Sequence, residues 1–203
     1  MRKHDPPRLA RLDPHRAAWT VVRAVHYRAL QDASRLGLVL KPNAVQPPSG
    51  QDEVALLNQT LGQSKVERSA RMCAEWAITG RGDPGEVAAA LRELRADLSS
   101  VEVGDVPWRA LDLTTTPGVL VVAAAARLAL TEGRTVEVVE VATLASVDER
   151  TIRAAVEAGE LRPVGPGRPV RFAAEVVRAY LYARGVLGFS APEETETSQT
   201  LST

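Results

Sequence analysis

Residues 141–161 read VATLASVDERTIRAAVEAGEL, and this stretch decides the fold of the C-terminal part of the chain. Val141 and Ala142 begin a short helical pattern that Leu144 continues and that breaks at Ala145-Ser146. Val147 follows as an apolar turn residue. Asp148 stands at a helix N-cap, where a short acceptor side chain can satisfy an orphan amide of the next helix. A second helix is predicted from Glu149 to Ala158, with Gly159 as its stop. Two short helices joined by a tight turn have the spacing of a helix-turn-helix, whose second helix is free to enter a DNA major groove. Beyond it, residues 161–172 read as a β-hairpin around Gly165-Pro166-Gly167, and a last helix is predicted over 173–184.

Upstream of this stretch the chain reads as helices. Hydrophobic residues make up 45% of the sequence but aromatics only 4%, so the core must be built from Ala, Val and Leu, which suits closely packed helices better than a β-sandwich. Residues 1–12 are Pro- and charge-rich and are expected to be flexible. Asp13-Pro14 then opens a helix to about Leu36, Asp as N-cap and Pro at the first position, with Ala18, Val22, Val25, Ala29 and Leu36 on its apolar side. His15 and His26 lie on one face about 16 Å apart, too far to share a metal ion. Residues 41–50 read as a linker and 52–61 as a short helix. Ser64-Lys65-Val66-Glu67 and Asp83-Pro84-Gly85-Glu86 are capping boxes. They start two helices joined at Gly80-Arg81-Gly82, the first with Val66, Ala70, Cys73 and Ala77 inward, the second with a stripe of Val87, Leu91, Leu94 and Leu98. The Arg81-Gly82-Asp83 tripeptide is read through its Asp as a helix cap, not as an adhesion motif. After a connection over 99–115, Thr116-Pro117 caps a helix to about Leu130 that is charged only at Arg127; a helix apolar nearly all round should be buried at the centre of the chain.

The fold class expected is therefore mainly α. A helical domain over 13–131 is followed by a C-terminal winged helix-turn-helix over 132–189 with a small β-hairpin wing, and by a disordered tail over 190–203. The winged segment resembles the excisionase and MerR-like helix-turn-helix superfamily in the Val141-Ala142 pair and Leu144, the Ser146-Val147 turn, the Asp148 cap, Thr151-Ile152, Gly159-Glu160-Leu161, and the aromatic Phe172 before the final helix. MerR regulators place this module first and follow it with a long coiled-coil helix. Here it comes last, with no such run and no metal-binding cysteines.

The resemblance implies double-stranded DNA as partner. Arg150 and Arg153 fall on exposed positions of the second helix, where they could reach guanine edges or phosphates, and Arg162, Arg168 and Arg171 on the wing, where they could neutralise phosphates. Thr151, Ile152, Val156, Val141 and Leu144 are assigned to the core. The function it implies is that of a transcriptional regulator or a recombination accessory factor of a bacterial, phage or plasmid genome, with the preceding helices available for a homodimer or a protein partner.

Charge complicates that picture. The chain carries 25 basic and 25 acidic residues, unevenly spread: residues 1–41 hold nine Lys/Arg against three Asp/Glu, whereas 132–184 hold eight against eight. The second helix itself reads Asp148, Glu149, Arg150, Arg153, Ala154, Ala155, Glu157, with more acids than bases. Such a helix alone should bind a polyanion weakly and with steep salt dependence. Tight binding needs a second subunit or a second basic surface, for which the N-terminal segment is the candidate. The alternative function is a protein-interaction adaptor or assembly module whose winged helix no longer binds DNA.

Other classes are disfavoured. Lone Cys73, beside Met72, Trp76 and Ala77, permits no intramolecular disulfide and reads as a buried, inert thiol. With no nucleotide-binding glycine motif, no His-Glu-Xaa-Xaa-His, and three histidines confined to the first 26 residues, neither an enzyme nor a cofactor or metal site is expected. Gly165-Pro166-Gly167-Arg168 is read as a wing tip, not a phosphate cradle. The N-terminus lacks a signal-peptide core, and the longest apolar run, over 118–126, is too short to span a bilayer, so a cytoplasmic protein without membrane contact is expected.

Overall fold

Burial of one apolar helix organises the structure. The computed structural model describes residues 8–35, 64–99, 113 and 115–190, the side chains of 26–35 and 97–99 excepted. Helix α1 (Pro14–Arg35) follows a 3-10 turn (Leu9–Arg11) and packs on α2 (Lys65–Thr79); α2 packs on α3 (Pro84–Ser99). All three lie against α4 (Thr116–Thr131). From Gly118 to Leu130 every residue of α4 is buried. One contiguous apolar cluster runs from Leu9 through α4 to Leu181 and so crosses the boundary expected at residues 131 and 132 without a break.

The caps explain where the helices start. Asp13 Oδ1 accepts from Arg16 N at 2.9 Å and Asp83 Oδ1 from Glu86 N at 2.9 Å, so both Asp-Pro openings act as the sequence indicates, and Asp83 is a cap. Ser64 Oγ accepts from Glu67 N at 3.1 Å, but the Glu67 carboxylate turns to Arg71 (3.7 Å). The α4 cap is Thr115, whose hydroxyl accepts from Gly118 N at 3.3 Å; it stands one residue before the expected Thr116, leaving Pro117 in the first turn, where a missing N–H costs nothing. The inward sets are as expected for Ala18, Val22, Ala70, Cys73, Ala77, Val87, Leu91 and Leu94; Val66 and Val25 are half-buried, and Val21, Ala74 and Trp76 join the core. The 41–50 linker, the 52–61 helix, most of the 99–115 connection, the 191–203 tail, and the side chains of Ala29, Leu36 and Leu98 lie outside the described residues.

Cys73 sits at the α2 interface with the core, and burial pushes its thiol up to about 12, consistent with an inert residue. Lys65 (2.8 Å) and the Ser69 hydroxyl (2.8 Å) both meet the Glu93 carboxylate and tie α2 to α3. Among the described residues no helix is long and apolar enough to cross a membrane, and no group of three His, Cys, Asp or Glu side chains is placed to hold a metal ion.

The charge in α4 acts as a clasp. Arg127 is 2% exposed and no carboxylate among the described residues pairs with it. Its Nη2 donates to Leu187 O (2.8 Å) and Ala77 O (3.4 Å), and its guanidinium lies 4.3 Å from the Phe189 ring centroid. Burial lowers its pKa to about 10, which still leaves it protonated at neutral pH. Gly80 (φ 75) and Gly188 (φ 78) make room for it: a Cβ on Gly80 would stand 2.7 Å from Arg127 Nη1, and one on Gly188 2.4 Å from Thr79 O. The N-terminal helices and residues 187–189 thus meet around one side chain.

Two outcomes are expected from this packing. Leu120→Ala, in the middle of α4, should lower unfolding free energy by roughly 2–5 kcal/mol, because it opens a cavity in a helix that cannot collapse around it. Urea titrations followed by far-UV circular dichroism and Trp fluorescence should show one coincident, left-shifted transition. Arg127→Ala should cost a similar amount of roughly 2–5 kcal/mol, whereas Arg127→Met, which keeps the apolar stem, should recover most of it on the same titration.

Candidate nucleic-acid interface

The described interface begins at β1 (Val136–Glu137), which runs straight into α5 (Val138–Ala145). This helix starts three residues before Val141 because Glu137 and Glu140 form a reciprocal capping box, with Glu140 Oε2 accepting from Glu137 N at 2.7 Å. Val138, Val141, Ala142 and Leu144 are buried, and α5 packs on α4. The helix stops in a left-handed residue, Ser146 (φ 55), with Val147 N donating to Ala142 O (3.0 Å) and Ser146 N to Thr143 O (3.2 Å).

Helix α6 (Glu149–Glu157) follows after Val147 and Asp148. Asp148 occupies the cap position with extended backbone, but its carboxylate makes no cap bond; the first turn closes through Thr151 N to Asp148 O at 2.9 Å. Its benefit to the helix is therefore the favourable placement of a negative charge at the positive end of the dipole, a benefit that Glu149 shares. Ile152 and Ala155 point inward, while Thr151 and Val156 are half-buried. Ala155 thus belongs to the core and not to the outward face. That face consists of Glu149, Arg150, Arg153, Ala154 and Glu157.

The wing is small. Strand β2 (Arg171–Phe172) bridges back to Pro163, and Val164 N donates to Arg171 O at 2.8 Å, which closes the loop that carries Gly165-Pro166-Gly167. On its other side β2 pairs antiparallel with β1, Val136 opposite Phe172 and Glu137 opposite Arg171. The sequence does not announce this second pairing, since a two-residue strand merged into a helix start has no alternation to read. Phe172 is buried and leads into α7 (Ala174–Ala183), whose Val177, Tyr180 and Leu181 close the module against α4 and α5.

The five arginines named from the sequence are all exposed, and they are not equivalent. Arg153 is bound to Glu149 on its own helix at 2.7 Å, and Arg171 lies 3.4 Å from Glu137. Arg150, Arg162 and Arg168 make no ion pair among the described residues; Arg150 projects from the first turn of α6 and the other two flank the wing loop. Glu157, at the far end of the same face, is also unpaired, and Glu160 lies 3.8 Å from Arg184.

A helix-turn-helix with a minimal wing defines the class to which this part of the chain belongs. Residues 136–184 match the family model of a helix-turn-helix domain, the excisionase-like kind that the sequence resembles, and this match supports a DNA-binding role. No curated protein and no solved structure matches the chain.

Glu137 serves both as helix cap and as the carboxylate facing Arg171. Glu137→Ala should therefore cost about 1 kcal/mol of stability, nearly all from the cap, since a half-exposed ion pair contributes little. Urea unfolding at low and high salt should show the same loss, because a cap is not screened.

Proposed function

We propose that this protein is a sequence-specific double-stranded DNA-binding protein, a transcriptional regulator or recombination accessory factor. In this reading α6 enters the major groove and the wing rests on the neighbouring backbone. The observation that carries it is the exposure of Arg150 on α6 together with Arg162 and Arg168 beside the wing, none with an ion pair among the described residues, all on a match to a helix-turn-helix family. Arg150 reads a guanine edge or a phosphate; Arg162 and Arg168 hold phosphates and fix the register. Arg153 contributes only after exchanging Glu149 for the ligand, and Arg171 only after leaving Glu137, so both are second in rank. The preceding helices supply the surface for a homodimer or a protein partner, and the setting is cytoplasmic.

A second reading, an adaptor that has exchanged DNA for a protein partner, is favoured by Glu157, an acid with no ion pair among the described residues on the face that would meet the duplex. Both readings are tested by one titration series. Full-length protein is titrated with a pool of duplexes at about 0.05 to 0.2 M salt, the range over which phosphate contacts separate by their salt dependence. Wild type should bind and lose affinity steeply with salt; Arg150→Ala/Arg153→Ala should lose at least tenfold, about 1.4 kcal/mol; Glu157→Gln should bind more tightly than wild type. Absence of binding by wild type at the lowest salt sinks the DNA reading and leaves the adaptor.

A further inference from the structure

Four helices of this chain end in the same double hydrogen-bonded stop around a left-handed residue. After α4, α6 and α7 that residue is Gly133, Gly159 and Gly185; after α5, in the turn of the helix-turn-helix, it is Ser146. A left-handed backbone costs a residue with a Cβ roughly 1–2 kcal/mol, which glycine avoids. What serine adds is a hydroxyl, and that hydroxyl has a partner far away in sequence: Ser146 Oγ accepts from Ala10 N at 2.9 Å.

The N-terminal 3-10 turn is thus fastened to the helix-turn-helix. Leu9 is buried in the common core, and the turn packs on α5, α2 and α4. Arg8 and Arg11 flank the fastened pair Leu9-Ala10; both are exposed, and neither makes an ion pair among the described residues. Arg8 shares a cleft with Ser146, Val147, Asp148 and Glu149, the start of α6. A phosphate approaching that end of α6 meets two carboxylates, of which Glu149 already holds Arg153, and Arg8 lines the same cleft from outside the helix. The segment these residues belong to, 1–41, is also where the net positive charge of the chain resides.

We infer that Arg8 and Arg11 form a second contact with the DNA backbone, next to the groove that α6 enters, and that Leu9 together with the Ser146 hydroxyl holds them there. The inference rests on the DNA reading above and names where its missing basic surface lies. Guanidinium groups on phosphodiesters supply affinity and position without reading bases, so the contact is equal for all sequences. It also accounts for a recognition helix that carries more acids than bases: the neutralising charge is supplied from the other end of the chain.

The test uses the full chain and the same duplex pool, with Arg8→Ala/Arg11→Ala compared against Arg81→Ala/Arg92→Ala, which removes equal charge from exposed sites on the α2–α3 loop and α3. Each phosphate contact contributes about 0.9 to the slope of log affinity against log salt, so the first variant should be shallower by about 1.8 and weaker by roughly tenfold or more on every sequence. The second variant should keep the wild-type slope. Wild-type binding with an unchanged slope in Arg8→Ala/Arg11→Ala, or an equal loss in both variants, overturns this inference and leaves the DNA reading intact. Wild type that binds no duplex at low salt overturns both.

Discussion

The constraint on which the structure depends is that α4 has no polar face. A helix built as TPGVLVVAAAARLALT can be stable in water only if other elements cover it on every side. Helices α1, α2 and α3 take one part of its surface, α5 and α7 another. Its small residues matter as much as its apolar ones, since Ala123, Ala124 and Ala126 are wholly buried and let neighbouring helices approach closely. The winged module is consequently not hung on the helical region by a linker. It is one of the layers that keep α4 dry, and the order of α5, the turn and α6 is inherited from that contact.

The same packing fixes what the interface can present. Ile152 and Ala155 lock α6 onto the module, which leaves a narrow outward face on which two of the charges cancel at 2.7 Å. The glutamates that start α5 and α6 stabilise helix ends, and under the proposed DNA reading the second of them does so where a polyanion would approach. Folding and binding therefore pull in opposite directions at the start of α6. Arg8, beside the Leu9-Ala10 turn and lining the same cleft as Asp148 and Glu149, is where the inferred backbone contact would offset that conflict.

Much of this was legible in the residues. The helix-turn-helix could be read because its signals are local: the Val141-Ala142 and Leu144 spacing, the break at Ser146, Gly159 after the second helix. Caps such as Asp13, Ser64 and Asp83 were legible for the same reason, each acting within three residues of itself. The start of α5 was not, because Glu137 and Glu140 cap a helix through side chains that also suit an exposed strand. The pairing of β1 with β2, the Ala10–Ser146 bond and the Arg127–Leu187 bond join positions 34 to 36, 136 and 60 apart in sequence. No periodicity encodes such contacts, and a buried arginine without a counter-charge looks in sequence like any solvated one. The exposure of the five arginines named for the candidate site was legible, but which of them already hold a carboxylate was not.

The clasp of Arg127 on the turn after α7 bears on how this winged module could ever be moved between proteins. A joint cut at residue 132 would carry the whole family-matched segment and still leave behind both the helix that roofs α5 and the guanidinium that secures the chain's exit. Shuffling, natural or by design, has to take residues 116–190 as one cassette together with the helices α1, α2 and α3 that cover the rest of α4 and the Ala10 donor for Ser146. Within the cassette the loop at 162–170 is the free variable, being solvent-facing and closed at its base by Pro163 and Phe172. Sequence changes are therefore expected to accumulate there sooner than in α6, whose Ile152 and Ala155 are held in the core.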